Sequence, residues 1–348
     1  MARRISIYPL YGLAGQPEDE PFNEAVLPFE VIPNVTLELV SPLFSDETWD
    51  WLQSYVGKRS LDDLKGVRHA IVHRYETEQE AVNLGAHSDS RKLIQNIAAL
   101  LRLIRPMTQR ALLIQGEFRR DDTLDVKTFD HPIDLEVPEV QKLFCVSNRD
   151  ADALRELAPE FLRAMAGEFW KFRIAVQFHD AGHFHGALFW KARYMLWCSG
   201  LESIYTSQDR EHSGSNVARE RIKWFLGANT PLYPLGDIPS FCPQSDLTVG
   251  QIVKELYDLR NYVAHGDKTP DEFFQKKVRR GLNGDLNLVQ VCLECVSFIL
   301  RHSLLKILQE RLLENFANSP VAEKYFENAG LTNTLIRQRE MRQARPHP

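Results

Sequence analysis

The chain is short of cysteine, with five in 348 residues. The number is odd, and most of the five sit in apolar runs. That usage excludes a disulfide framework and fits a reducing compartment, where a free thiol behaves as a small buried hydrophobe. Cys292-Leu293-Glu294-Cys295 has the spacing of half a zinc site. No second Cys or His pair follows at a suitable distance, and its neighbours Val289, Val291, Leu293 and Val296 are apolar, so it reads as core packing. Basic charge is not in excess either: 42 Lys and Arg face 47 Asp and Glu, for a net charge of −5. This argues against a general nucleic-acid coat, although a local basic site is compatible with it. No stretch approaches the roughly 20 apolar residues of a membrane span. After Met1-Ala2-Arg3-Arg4, the residues Pro9, Gly12, Gly15 and Pro17 interrupt the chain before an apolar signal core can form. There is no internal repeat and no low-complexity tract. The expectation is a soluble, cytoplasmic protein without a membrane partner.

What is present is ordinary globular composition, 44% hydrophobic and 26% charged, over a length that suits one large or two medium domains. To about residue 147 the pattern is mixed. Val35-Thr36-Leu37-Glu38-Leu39-Val40 alternates with period two and is rich in β-branched residues, the signature of a half-buried strand. Residues 68–75 and 111–116 look similar. Leu93, Ile94, Ile97, Leu100, Leu101 and Ile104 recur at helical spacing and place an amphipathic helix over 90–104, ended before Pro106. Residues 1–147 therefore read as an α+β domain with no recognisable active-site motif.

From about Asn148 the pattern turns helical. Leu154, Leu157, Phe161, Leu162 and Met165 form one helix face. A second helix runs from Phe169 to His179 and reaches a break at Gly182. The third, 185–205, is apolar nearly all round, as a helix at the centre of a domain is. Helices follow at 216–226, 248–265, 270–281 and 285–316, with a proline-rich loop after the first of these. Residues 317–348 read as a helical or frayed basic tail.

Within 248–265, Val249, Ile252, Val253, Leu256, Leu259 and Val263 have core-facing spacing. Gly266 stands where a helix C-terminus favours positive φ. Thr269-Pro270-Asp271-Glu272 reads as the next helix start, with Thr269 as N-cap and Pro270 in first position. His265 thus falls at a helix C-terminus, where the helix dipole favours imidazolium. A His there can serve as general acid or base, and Arg260 offers a charged planar fork suited to phosphate. On an ideal helix the two lie roughly 140° apart. They can meet at one phosphate if the last turn loosens or if a second copy of the motif faces the first. Alone, an R-x4-H spacing occurs by chance in many proteins and is better read as a simple dipole-complementing cap.

The segment Leu256-Tyr257-Asp258-Leu259-Arg260-Asn261-Tyr262-Val263-Ala264-His265-Gly266 resembles the R-x4-6-H signature helix of HEPN domains. It is similar in particular to the ApeA-like HEPN family of prokaryotic anti-phage proteins, which share a Tyr, Arg and His-Gly pattern. The run 193–204 resembles that family's first core helix, 216–226 with Arg221-Ile222 its second, and the apolar helix from Leu286 its last. The resemblance covers about residues 148–316. It implies an all-α HEPN bundle that dimerises into a composite cleft and cleaves single-stranded RNA without metal or other cofactor. Arg260 would hold the scissile phosphate, His265 would assist proton transfer as the ribose 2′-hydroxyl attacks, and Asn261 would orient one of them. Lys276, Lys277, Arg279 and Arg280, placed on the following helix, would track RNA phosphates; a solvated basic face is the plainer reading of such a run. The resemblance further implies an anti-phage or abortive-infection effector. Its N-terminal domain would sense or regulate, through a phage-derived trigger or another partner. The alternative is a non-catalytic HEPN module that binds RNA, nucleotide or a protein.

Two further features complete the set. His179, His183 and His185 invite a metal reading, but they straddle the expected break at Gly182 and read better as a polar turn between helices. Glu202 is a lone acid on an apolar helix, and a structural ion pair with Arg260 or another cation is preferred over catalysis, because an unpaired buried carboxylate is costly.

Overall fold

The computed structural model describes residues 2–10, 27–56, 62, 64–77, 84–105, 113–119, 124–130, 147–184, 190–207, 214–232, 247–266, 269–275, 277–279, 285–329 and 331. An antiparallel sheet region comes first and a mostly helical region second. The chain divides into two compact units, Met1–Arg163 and Ala164–Pro348.

The first unit is built on six strands: β1 (Ala2–Pro9), β2 (Phe29–Ile32), β3 (Val35–Leu39), β4 (His69–Thr77), β5 (Leu113–Phe118) and β6 (Leu124–Asp130). Their order is β2-β3-β4-β1-β5-β6, and every pairing is antiparallel. β1 lies at the centre, pairing Ser6 with both His73 and Gln115. Alternation along the strands separates two faces. Ile5, Ile7, Ala70, Val72, Ile114 and Val126 pack with Leu52 of helix α1 (Asp46–Val56) in one core. The other face is polar at its centre. There the Ser90 hydroxyl, from helix α2 (Leu84–Ile104), donates to Ser6 at 2.7 Å and meets His73 Nδ1 at 2.8 Å, and Gln115 donates to Ser6 at 3.0 Å. Burial lowers the His73 pKa, which favours the neutral ring.

Helix α3 (Asn148–Ala166) is the helix expected at 148, but the division between units falls inside it, after Arg163. The change of pattern at 147/148 marks where helix begins rather than where the first unit ends. Its first turn is tied to the first unit by the buried pair Arg105–Asp150 at 3.0 Å. Asp150 also accepts from the Ser147 backbone N–H and hydroxyl.

The second unit contains α4 (Trp170–Phe184), α5 (Trp190–Tyr205), α6 (Ser215–Leu226), α7 (Val249–Ala264), the short α8 (Asp271–Gln275), α9 (Leu288–Gln309) and α10 (Ser319–Asn328). α9 is buried almost throughout, Cys292 and Cys295 included. Contrary to the expectation that no stretch approaches a membrane span, this helix is long and apolar enough to cross one by length and composition, and 78% of its most apolar window is buried inside the bundle.

Four expectations are corrected here. The helix assigned to 270–281 stops at Gln275, and Lys277–Arg279 form strand β7, paired with β8 (Asp285–Asn287). The unit is therefore not all-α. Val278 favours strand, and Gly281 and Gly284 weaken a continued helix. Second, the helix assigned to 285–316 starts at Leu288, because Asn287 and Gln290 form a capping box there. It ends at Gln309, and Leu313–Phe316 is a separate 3-10 turn. Third, Thr269 does not cap α8: its buried hydroxyl has no hydrogen-bond partner among the described residues. Fourth, Gly182 does not break a helix but lies inside α4. A Cβ there would stand 2.3 Å from the Trp197 indole nitrogen, so glycine is needed for close approach of α5 rather than for a turn.

Candidate functional site

Everything at the site hangs on how α7 starts, stops and is held. It starts on a capping box, in which the Thr248 hydroxyl accepts from the Gln251 backbone N–H and the Gln251 side chain accepts from the Thr248 N–H at 2.8 Å. Val249, Ile252, Val253, Leu256, Tyr257 and Leu259 are its buried stripe. It stops at His265, the C-cap, whose N–H donates to the Asn261 carbonyl at 3.0 Å. Gly266 follows with φ 70° and its N–H bonded to the Val263 carbonyl. A Cβ on Gly266 would meet nothing within 4 Å, so the positive φ alone calls for glycine.

Three contacts from neighbouring helices hold α7. The Tyr194 hydroxyl of α5 donates to the Leu256 carbonyl at 2.6 Å. Arg219 of α6 donates to the Lys254 carbonyl at 3.3 Å and pairs with the Asp258 carboxylate. Arg260 Nη2 reaches both carboxylate oxygens of Glu202 on α5, at 3.0 and 3.1 Å. The ion pair expected for Glu202 is thus present. The remaining Arg260 contact is a long one, Nη1 to the Asn261 side-chain oxygen at 3.5 Å. Arg260 Nε is buried without a hydrogen-bond partner among the described residues, and so is the Tyr257 hydroxyl.

Beneath the ion pair the side chains are buried. Cys198, one turn before Glu202, is fully buried, and burial pushes its thiol well up, with Glu202 adding to the rise and Arg260 opposing it. Burial likewise holds the phenols of Tyr194 and Tyr257 neutral. Glu202 and Arg260 form the ion pair of this seam. Each is about one quarter exposed, so the pair lies at the boundary between bundle interior and solvent.

The structure brings Arg260, Asn261 and Glu202 together. His265 is exposed and makes no hydrogen bond to Arg260, in keeping with their angular separation on a regular helix. Lys277 and Arg279 stand on strand β7 rather than on the expected helix, which corrects their placement; Lys276 and Arg280 lie outside the described residues. His179 and His183 are four apart on α4, with ring centroids 4.6 Å apart, and His185 lies outside the described residues. Among the described residues no group of three or more His, Cys, Asp or Glu is placed to hold a metal.

Sequence reasoning missed Arg219 and Tyr194, because their partners on α7 lie 39 and 62 residues away. The capping boxes Thr248-x-x-Gln251 and Asn287-x-x-Gln290 are local signals that could have placed both helix starts. No protein-family model, curated protein or solved structure matches the chain.

Proposed function

We propose that the helical unit is a HEPN-type ribonuclease domain, and that two copies of the chain build two equivalent sites, each with the Arg260 of one copy and the His265 of the other, that cleave single-stranded RNA without metal. The observation that carries this reading is the end of α7. Arg260 is oriented by Glu202 at the solvent boundary, and His265 is presented one turn later, exposed, at a glycine-terminated helix end. One chain aims these groups apart, whereas two chains let the Arg260 of one meet the His265 of the other.

In the reaction, the ribose 2′-oxygen attacks the adjacent phosphorus and the P–O5′ bond breaks. The products are a 2′,3′-cyclic phosphate and a 5′-hydroxyl. The His265 imidazole accepts the 2′-hydroxyl proton and, protonated by it, supplies that proton to the leaving 5′-oxygen. Arg260 neutralises the charge that builds on the phosphate oxygens. Asn261 positions Arg260. The first unit then has a sensing or regulatory role, and the whole is an effector of anti-phage or abortive-infection defence.

A second reading has its own support: Arg260 is already neutralised by Glu202. A non-catalytic module binding RNA, nucleotide or a protein partner would keep such a pair for packing. Incubation with single-stranded RNA in EDTA separates the two. The ribonuclease reading expects cyclic-phosphate ends from wild type and none from Arg260→Ala or His265→Ala. Intact RNA with wild type favours the binding module, and cleavage that EDTA abolishes contradicts the metal-free mechanism.

A further inference from the structure

The face of α7 that ends in His265 carries Gln251, Lys254, Asp258 and Asn261 before it, at steps of three or four residues that keep them aligned. Gln251, Lys254 and His265 are exposed, and Asp258 and Asn261 are half-buried. Arg219 reaches this face from α6. Its Nη2 is fixed by the Asp258 carboxylate and the Lys254 carbonyl, and the guanidinium stands 6.0 Å from the Tyr257 ring. Its Nε is buried without a hydrogen-bond partner among the described residues, and its side chain is 16% exposed. One edge of the fork is therefore tethered, and the group cannot swing away.

We propose that Lys254 and Arg219 are phosphate-binding residues of the same site, so that its substrate is an RNA strand engaged over several nucleotides rather than at the scissile phosphate alone. This rests on the ribonuclease reading above. Lys254 and His265 are separated by eleven residues, about 16 Å along the helix axis, a span of a few nucleotides. Along it two cations, Lys254 and Arg219, face one carboxylate, Asp258. The row is net positive on a chain whose net charge is −5, which concentrates a polyanion there against the general field. The planar fork of Arg219 suits a phosphate edge-on, while Lys254 acts as a mobile point charge.

Two readouts test this: cleavage of ribonucleotides two, four and eight long, and binding of a 2′-O-methyl octanucleotide, which lacks the attacking hydroxyl. Both are measured between roughly 50 and 200 mM salt. The variants are Lys254→Ala, whose side chain is exposed and not needed for folding, Arg219→Gln and Arg219→Lys. With wild type, KM should fall as the substrate lengthens. Lys254→Ala should raise KM for the octanucleotide by about three- to tenfold with kcat nearly unchanged, and Arg219→Gln should raise KM likewise while also lowering kcat, because Arg219 helps to hold α7. Both variants should also weaken binding of the 2′-O-methyl strand and reduce its salt slope by about one each. Dinucleotide cleavage should be indifferent to Lys254→Ala, the dinucleotide KM should be indifferent to Arg219→Gln, and Arg219→Lys should fall between wild type and Arg219→Gln. An unchanged octanucleotide KM and salt slope in both charge-removing variants overturns the proposal while leaving the ribonuclease reading intact. Wild type that binds the 2′-O-methyl strand with the expected variant effects but cleaves nothing supports this surface and sinks the ribonuclease. A wild type that does not bind the strand overturns the proposal.

Discussion

Glu202 and Arg260 face each other across the seam between α5 and α7, Oε1 to Nη2, at 3.0 Å. At a quarter exposed, such a pair adds at most about 1 kcal/mol to stability. Its larger effect is on the aim of the guanidinium. Glu202→Gln should leave the unfolding midpoint nearly unchanged and lower kcat for RNA cleavage by on the order of ten- to a hundredfold, as a small misplacement does. A stability loss of several kcal/mol with kcat intact would assign the pair to folding alone.

The Gly182 approach gives a sharper stability test. A methyl group there has no space against the Trp197 indole, which itself donates to the His179 carbonyl at 3.2 Å. Gly182→Ala should destabilise the protein by about 1–3 kcal/mol through overpacking, although alanine is the better helix former. Thermal denaturation decides it, and a raised Tm would mean that a Cβ fits between α4 and Trp197 and that the helix propensity of alanine wins.

Arg221 of α6 is 1% exposed, donates to the Tyr205 carbonyl at 2.9 Å and forms a bidentate pair with Glu323 of α10. Neutralising one partner leaves a buried cation without its counter-charge. Glu323→Gln should cost roughly 2–3 kcal/mol and expose α10 to limited proteolysis earlier than the rest of the helical unit. Wild-type resistance in that variant would contradict a docking role for the pair.

Lys171 supplies a pH prediction. It is 2% exposed and donates to the Thr206 carbonyl at 2.7 Å. Burial lowers its pKa from 10.5 to about 8, with Arg221 adding to the fall and Glu323 opposing it. Between these values the unfolded chain holds a proton that the folded one has released, so this group makes folding more favourable as pH rises through that window. The burial penalty stands in full below pH 8. Relative to Lys171→Met, in which other titrations cancel, wild type should gain up to roughly 3 kcal/mol between pH 8 and 10.5. Urea denaturation at the two ends measures it, and a flat difference contradicts the lowered pKa.

Periodicity in the sequence located β3, β4, β5 and most of the long helices, because their apolar residues repeat with a clear period. It missed β1, where Arg3-Arg4 masks the alternation of Ile5 and Ile7, and it missed the β7–β8 pair, which is three residues per strand. The end of α7 was legible because Gly266 and the spacing to His265 are local signals. So was Glu202, since a lone acid on an apolar helix demands a partner. Arg219 and Tyr194 were not legible, because tertiary packing alone brings them to α7. The break expected at Gly182 failed for the same reason: an isolated glycine does not reveal whether it serves a turn or a close contact.

The central claim is that Arg260 and His265 act from different chains. Arg260→Ala and His265→Ala proteins, each inactive alone, would be unfolded together, refolded as a mixture and assayed on single-stranded RNA in EDTA. In a mixed dimer one site keeps the Arg260 of one chain and the His265 of the other, while its twin loses both. With half the dimers mixed and one site in two intact, about a quarter of wild-type activity should return. No recovery, with mixed dimers demonstrably formed and wild type active, would contradict the shared site.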